Sequence, residues 1–342
     1  MLSLNRTSVA RWLVAVGPAL WSACASSPNS APDPRDYPTD PSQAQFNTAD
    51  VDRYFRAYDS GGRTGSADPF QRIYLDSASA PLREFSELRA VTATSLGQVA
   101  GAYPRYLEAL RVWWLSASRQ ANVISTVRTN FARIKAQYPD AFFPPVTILM
   151  GRYSTGGTIG RTGIFIGVEF YGVDANAPTT ELNAFARNNQ KSWSRDLPTL
   201  IAHEHEHLLA SAAGAPTGSS RTLLARALDE GVAEFVGSLS AGAPSYGGFF
   251  AEWQQREREF WLVFERERGG VAYDRWLFNQ QNATLAWPGD LGYFMGYRIA
   301  QAYYNQAADK TQALRDLIAN KNPEAILARS GYAGSGPVIV AP

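Results

Sequence analysis

Apolar residues recur at spacings of three and four along most of this chain, the period of helices that bury one face. The pattern predicts helices or broken helices over residues 48–59, 82–98, 105–137, 196–213, 221–240, 249–268, 291–307 and 311–329. Two stretches read differently. Residues 146–150 and 162–171 are short apolar runs bounded by Pro and Gly, and they predict strands. The Gly-rich stretch from Ser154 to Thr158 lets the first strand pair with the second, and Gly156-Gly157 reads as a hairpin turn, with a flap over a cleft as the alternative. Many helices with a small sheet define an α+β chain.

One of these helices carries chemistry. His203-Glu204-His205-Glu206-His207 contains all three histidines of the protein. Read as His-Glu-x-x-His, it has the spacing of a zinc peptidase motif. Residues four apart on a helix stand one above the other, so His203 and His207 can offer two imidazoles to one ion. Glu204, beside the first ligand, can take a proton from a water there. On a helical wheel Leu197, Ile201, Leu208 and Ala212 form the core side, while His203 and His207 lie opposite, about 40° apart. His205 falls on the core side and reads as a hydrogen-bonded core histidine. Glu206 falls between the faces and is not a ligand. Asp196 is the expected N-cap and Pro198 fits the first turn; Gly214 and Pro216 end the helix.

A catalytic zinc takes three protein ligands and a water. With no further histidine in reach and no usable cysteine, the third ligand must be a carboxylate. The helix over 221–240 supplies candidates. The chain runs about 9 Å past His207 before it turns, and about 13 Å back from Arg221 to Glu230, so an antiparallel pair returns Glu230 to the level of the histidines. Glu230 is therefore the expected ligand, with Asp229 as runner-up. Glu234, one turn on, is placed to orient a ligand. Ala227 and Gly231 are small enough to let the His helix and the Glu helix approach closely.

His-Glu-x-x-His followed by a helix with Glu230-Gly231-Val232-Ala233 resembles the gluzincin arrangement. The chain further resembles the GldB-like zinc-dependent peptidases, a family that includes gliding-motility lipoproteins. The matching pieces are Val51–Asp59, Gly156–Gly167, the His motif, Leu228–Gly231, Gly292–Ile299 and Ile326–Tyr332. The resemblance implies a zincin-like metallopeptidase, mostly helical with a small sheet beside the His helix. It implies Zn2+ held by His203, His207 and Glu230, and Glu204 as general base. It also implies that Thr162–Phe170 is an edge strand to which extended peptide adds, a buried strand being the alternative. Of Tyr293, Tyr297 and Arg298 in the late motif, Tyr297 is the expected oxyanion-stabilising group.

The front of the chain bears on location. Arg6 and Arg11 precede the apolar run Trp12–Trp21, too short to span a bilayer and interrupted by Pro18, which reads as a secretory signal over residues 1–24. Leu20-Trp21-Ser22-Ala23-Cys24 resembles a lipoprotein processing site with Cys24 lipidated, although Trp21 departs from it; Ala23-Cys24-Ala25 also serves ordinary secretion. Cys24 is the single cysteine, so no internal disulfide can form. Residues 25–46, rich in Pro, Ser and Asp, read as a disordered tether. Residues 47–335 then form the metallopeptidase domain, as one unit or as lobes near 47–195 and 196–335.

The leader takes two of the 32 basic residues with it, leaving a near-balance with 31 acidic ones and no basic stripe of the kind nucleic acid requires. The expected partners are a peptide substrate and, through the anchor, a membrane of the cell envelope. The alternative is a non-catalytic envelope lipoprotein, a scaffold in a secretion or motility assembly. Glu204 argues against it, because a structural metal site needs no general base.

Overall fold

The computed structural model describes residues 33, 36–171, 177–183, 186–187, 197–284 and 286–337 of the 342-residue chain. The leader, Cys24 and Asp196 lie outside the described residues. Among those described, no helix is long and apolar enough to cross a membrane.

In chain order the elements are β1 (Phe46–Asn47), α1 (Ala49–Asp59), a π-helical turn (Phe70–Leu75), α2 (Ala80–Leu88), α3 (Ala93–Ala102), α4 (Pro104–Trp114) and α5 (Ala117–Gln137). Then come β2 (Val146–Leu149), β3 (Gly157–Gly160), β4 (Gly163–Gly167), α6 (Leu197–Ala212), α7 (Leu223–Ala241), α8 (Gly247–Trp253) and α9 (Glu257–Glu267). The chain closes with α10 (Leu291–Gln306), α11 (Lys310–Ala319) and α12 (Pro323–Ser330). The structure is α+β, mostly helical with one four-stranded sheet. A single apolar cluster runs from Ala44 to Tyr332.

The long helical stretches break where the backbone leaves the α region. The expected 82–98 helix divides at Arg89–Thr92, where Ala90 has φ 49° and Thr92 caps α3 through a reciprocal bond with Ser95. The expected 311–329 helix divides at Asn320, φ 37°. The π turn escapes a reading based on a 3.6 period, because its hydrogen bonds span five residues.

The sheet order is β1-β2-β4-β3, with β1–β2 and β2–β4 parallel and β3–β4 antiparallel. Residues 146–149 and 163–167 do pair, as expected, but β4 lies between β2 and β3. The strand expected at the edge is therefore internal, and among the described residues β1 and β3 are the edges. A second correction concerns the tether. Phe143 N–H donates to Pro38 C=O at 2.8 Å, Ala44 is buried and Phe46 pairs with Val146, so the packed chain begins before residue 47.

α6 is buried all round. From Leu197 to Leu209 every residue is enclosed, by α5, α7 and the β3–β4 hairpin. The wheel suggested one polar face; instead the polar residues of that face are built into an internal site. Gly214, at φ 74°, ends α6 as expected. Thr222 accepts from Ala225 N–H at 3.2 Å and starts α7.

The small residues of α7 face a different partner from the one expected. A Cβ on Gly231 would lie 2.2 Å from Gly296 C and Tyr297 N, and one on Gly296 would lie 1.8 Å from Ala227 O. Ala227 and Gly231 thus bring α7 against α10. The contact with α6 is made at Gly237, whose ideal Cβ lies 3.3 Å from His203 N.

Candidate metal centre

His203 and His207 leave α6 on the side facing α7, and Glu230 comes from α7 to meet them. His203 Nε2 and His207 Nε2 are 3.1 Å apart; Glu230 Oε2 is 3.5 Å from the first and 3.4 Å from the second. Ligands about 2.0–2.1 Å from a tetrahedral zinc are separated from one another by about 3.3 Å. The three sides match that requirement, and these residues are a group able to hold a metal ion. All three side chains are buried, and Glu230 Oε2 has no hydrogen-bond partner. A buried carboxylate oxygen aimed at two imidazole nitrogens is costly unless a cation joins them.

The far side of His203 is fixed by a second carboxylate. Glu234 Oε1 lies 2.8 Å from His203 Nδ1. Its own oxygens accept from Ser245 N–H at 2.8 Å, the Ser245 hydroxyl and Tyr246 N–H. The turn after α7 thereby locks the carboxylate that fixes the ring of His203, the arrangement that holds a metal histidine in one tautomer. Asp229 does something else. Arg221 Nη1 donates to both its oxygens at 2.6 and 2.5 Å, and Asn320 Nδ2 donates at 2.8 Å. It ties the start of α7 to the end of α11 and points away from the histidines.

Burial disfavours a charged His203, but the carboxylates of Glu230 and Glu234 beside it together outweigh this and push it up to about 9. Burial also raises the Glu230 carboxyl, and His207 with His203 reverses that and holds it well below the usual carboxylate range. Without metal, the cage therefore keeps a proton below about pH 9 that zinc must displace. Apparent zinc affinity is expected to rise about tenfold per pH unit from pH 7 toward 9 and then level off. Chelator competition across that range measures it, and a flat profile would mean that His203 is neutral in the free protein.

Glu204 occupies the side of α6 that faces the sheet. A Cβ on Gly157 would lie 2.3 Å from Glu204 Oε1, and one on Gly156 would lie 1.9 Å from the Tyr171 hydroxyl. The two glycines are thus neither a turn nor a flap. They are the places where edge strand and strand lead-in have to give way to a carboxylate and a phenol. This seat escaped the sequence reading; its signal was the pair of glycines itself, read as a turn because they stand between two strands.

His205 behaves as its place on the wheel suggested. Its Nε2 is 2.7 Å from Phe142 O, its ring packs between Phe131 and Phe143, and burial lowers its pKa to about 4. Glu206 is buried, with Oε2 3.6 Å from His207 Nδ1, and burial pushes it up to about 8. On α10, Tyr297 packs on Phe235 and Phe250, and burial raises its pKa. Tyr293, one turn earlier, lies parallel to the His203 ring at 6.2 Å. Arg298 is buried in a paired grip on Glu257, at 2.6 and 3.0 Å, which also receives the Tyr332 hydroxyl; it holds the C-terminal segment.

Two histidines on one helix and a glutamate from the next form a group able to hold a metal ion, with a second glutamate, Glu204, beside the first histidine. In agreement, the model of a family described as a predicted Zn-dependent protease (DUF2268) matches residues 179–327, which hold His203, Glu204, His207, Glu230 and Glu234. No curated protein and no solved structure matches the chain.

Proposed function

We propose that this protein is a zinc-dependent peptidase of zincin-like, gluzincin type. The observation that carries the reading is the triangle of His203 Nε2, His207 Nε2 and Glu230 Oε2, with its partnerless carboxylate oxygen and tetrahedral spacing. Zinc, when bound, lowers the pKa of water and polarises a carbonyl. The chain's own residues supply the rest. Glu204 takes the proton of the attacking water and hands it to the leaving amine. Glu234 keeps His203 in place, and the packed helices exclude bulk water.

β3 is the substrate's track. Gly167 N–H donates to Gly156 O, so by antiparallel alternation Gly157 and Ile159 turn their backbone groups to the side away from β4, where the Gly157 carbonyl takes the Thr155 hydroxyl. Glu204 stands beside Gly157. An extended peptide adding there by strand pairing is brought alongside the general base. For the oxyanion donor, Tyr293, whose ring lies against His203, takes the place of the expected Tyr297, whose ring packs on Phe235 and Phe250. Export through residues 1–24 and anchoring at Cys24 belong to the same proposal and rest on the sequence pattern.

The test is the zinc content of the purified protein by elemental mass spectrometry, beside a digest of a mixed peptide library. About one zinc per chain is expected, lost in Glu230→Ala and kept in Asp229→Ala, with cleavage that stops on chelation. A parent that holds no zinc after reconstitution would end the reading and favour the scaffold.

A further inference from the structure

Between Glu108 and Asp140 the chain has no acidic residue, and it carries Arg111, Arg119, Arg128, Arg133 and Lys135. This stretch is the end of α4, the turn after it and the whole of α5. Arg111 is neutralised, because its Nη1 and Nη2 donate to Asp59 at 2.8 Å each. The other four meet carbonyls or a ring. Arg128 donates to Ser42 O at 2.6 Å and Ala44 O at 3.1 Å, Arg133 to Ser240 O at 3.1 Å, and Lys135 to Pro139 O at 2.7 Å and Ala141 O at 2.8 Å. Arg119 stands over the ring of Trp113 at 5.4 Å. Such partners orient a cation but cancel none of its charge. The acids that bound the stretch are themselves engaged, Glu108 by Arg63 and Asp140 by Arg315. α5 is therefore a basic element with a field of its own.

An apolar tip stands in solvent at the head of this helix. Val112 is 76% exposed and Leu115 43%, and Trp113 between them is half-buried and stacked on Trp114. Single exposed apolar residues are ordinary. Here two fall within one turn, with a tryptophan between them and an arginine on its ring. Trp and Arg each join an apolar body to a polar head, which suits the boundary between hydrocarbon and water.

The N-terminal segment of the chain arrives on the same helix. Arg128 holds Ser42 and Ala44, and its guanidinium lies over the ring of Phe46 at 5.3 Å. From there the head of α5 is about 16 Å away along the helix. The chain from Cys24 to Pro38 spans at most about 50 Å. A lipid on Cys24 thus keeps α5 within reach of the bilayer.

We propose that Val112, Trp113 and Leu115, with Arg119 and the charge of α5, form a docking face for an anionic lipid bilayer, so that the protein lies on its membrane rather than hanging from the lipid alone. The inference rests on the exported, anchored part of the reading above. The cations line no groove for a phosphate backbone. By helical geometry Arg119 and Arg133 stand on one flank of the exposed face of α5, and Arg128 and Lys135 on the other. A flat anionic surface meets both flanks at once, with the apolar tip among its headgroups.

The experiment uses the full chain with Cys24→Ser, which carries no lipid and no other cysteine. Ser118→Cys, exposed beside the tip, takes an environment-sensitive fluorophore, and Val271→Cys takes it in a second protein. Val271 is the control because it is remote from α5. Leu223 N–H donates to Gly270 O at one end of α7, and Arg133 meets Ser240 at the other, about 26 Å away. Each protein is mixed with vesicles of phosphatidylcholine, alone or together with phosphatidylglycerol. On the anionic vesicles the Ser118 reporter is expected to shift to shorter wavelength and to be quenched by spin-labelled lipid. Binding there is at least about tenfold tighter than to neutral vesicles and weakens with salt. The Val271 reporter stays in water. Val112→Ser together with Leu115→Ser, and separately Arg119→Glu, each lower the affinity about tenfold while Tm and zinc content hold. No shift on either vesicle, an equal shift on both, an equal shift at Val271, or a shift that survives both variants overturns the docking face. Intact mass of the exported parent reports the anchor separately. A lipid on Cys24 with the Ser118 reporter in water keeps the anchor and removes the face; a lipid-free Cys24 with the reporter immersed ends the anchor and keeps the face.

Discussion

Glu204→Gln is expected to lower kcat by about 100- to 10,000-fold, the usual contribution of a positioned acid–base group, while zinc content stays at the parent's level. The geometry separates the two readouts. Glu204 is not one of the three residues that gather at the ligand triangle, and its carboxylate lies against Gly157 on the sheet side of α6. Glutamine has the same shape, so the contact with the strand survives and the proton transfer does not. Steady-state cleavage with parallel zinc determination checks this. An E204Q protein that keeps its zinc and works within tenfold of the parent would falsify the general-base role and leave Glu204 as a packing group. Gly157→Ala provides the complementary case. Its new methyl would start 2.3 Å from Glu204 Oε1, so the base is displaced without any change to its chemistry.

The second large effect is on stability. Gly296→Ala would place a Cβ 1.8 Å from the Ala227 carbonyl oxygen and 3.0 Å from Gly231 Cα. On helix propensity alone the change would gain about 1 kcal/mol. The neighbour here is backbone, which cannot rotate aside, and overpacking of a tight contact costs about 1–3 kcal/mol or more. The clash wins, and a net loss of about 2 kcal/mol is expected, lowering Tm by several degrees. Because α7 carries Glu230 and Glu234, the same substitution is expected to weaken zinc binding although Gly296 touches neither. Thermal unfolding with and without zinc measures both. An unchanged Tm would mean that α7 and α10 can separate at little cost.

The sequence was a good guide to what depends on local periodicity and a poor one to what depends on crossings. The 3.6 pattern located α1, α6, α7 and α10 to within a few residues and ran α4 and α5 together over 105–137. The i, i+4 spacing and the helix-rise arithmetic were enough to bring Glu230 to His203 and His207. What failed was the assignment of partners. Ala227 and Gly231 announced a close approach but not to which helix, and only the fold says that it is α10. The edge strand was hidden for a similar reason. Gly157-Thr158-Ile159-Gly160 carries two glycines among four residues, so its composition is that of a turn, and nothing in the chain records that β4 is inserted between β2 and β3. Tyr293 and Tyr297 are one turn apart on the same helix, and the choice between them depends on which one lies over His203. Asp229 and Arg298 were chemically plausible and proved to be tied into ion pairs.

The brevity of β3 has a consequence for self-association. An exposed sheet edge invites other chains to pair with it, and proteins guard against this by keeping edge strands short. Four residues bounded by glycines, with the Thr155 hydroxyl already on the Gly157 carbonyl, offer too little ladder for two copies of the protein to zip together. On the proposed peptidase reading, the same four residues would pair with a few residues of a chain that arrives already extended. A folded protein, whose strands are committed elsewhere, has no such segment to offer. Loops, termini and unfolded stretches do, and on the proposed peptidase reading the shape of this edge would favour them before any side chain is read.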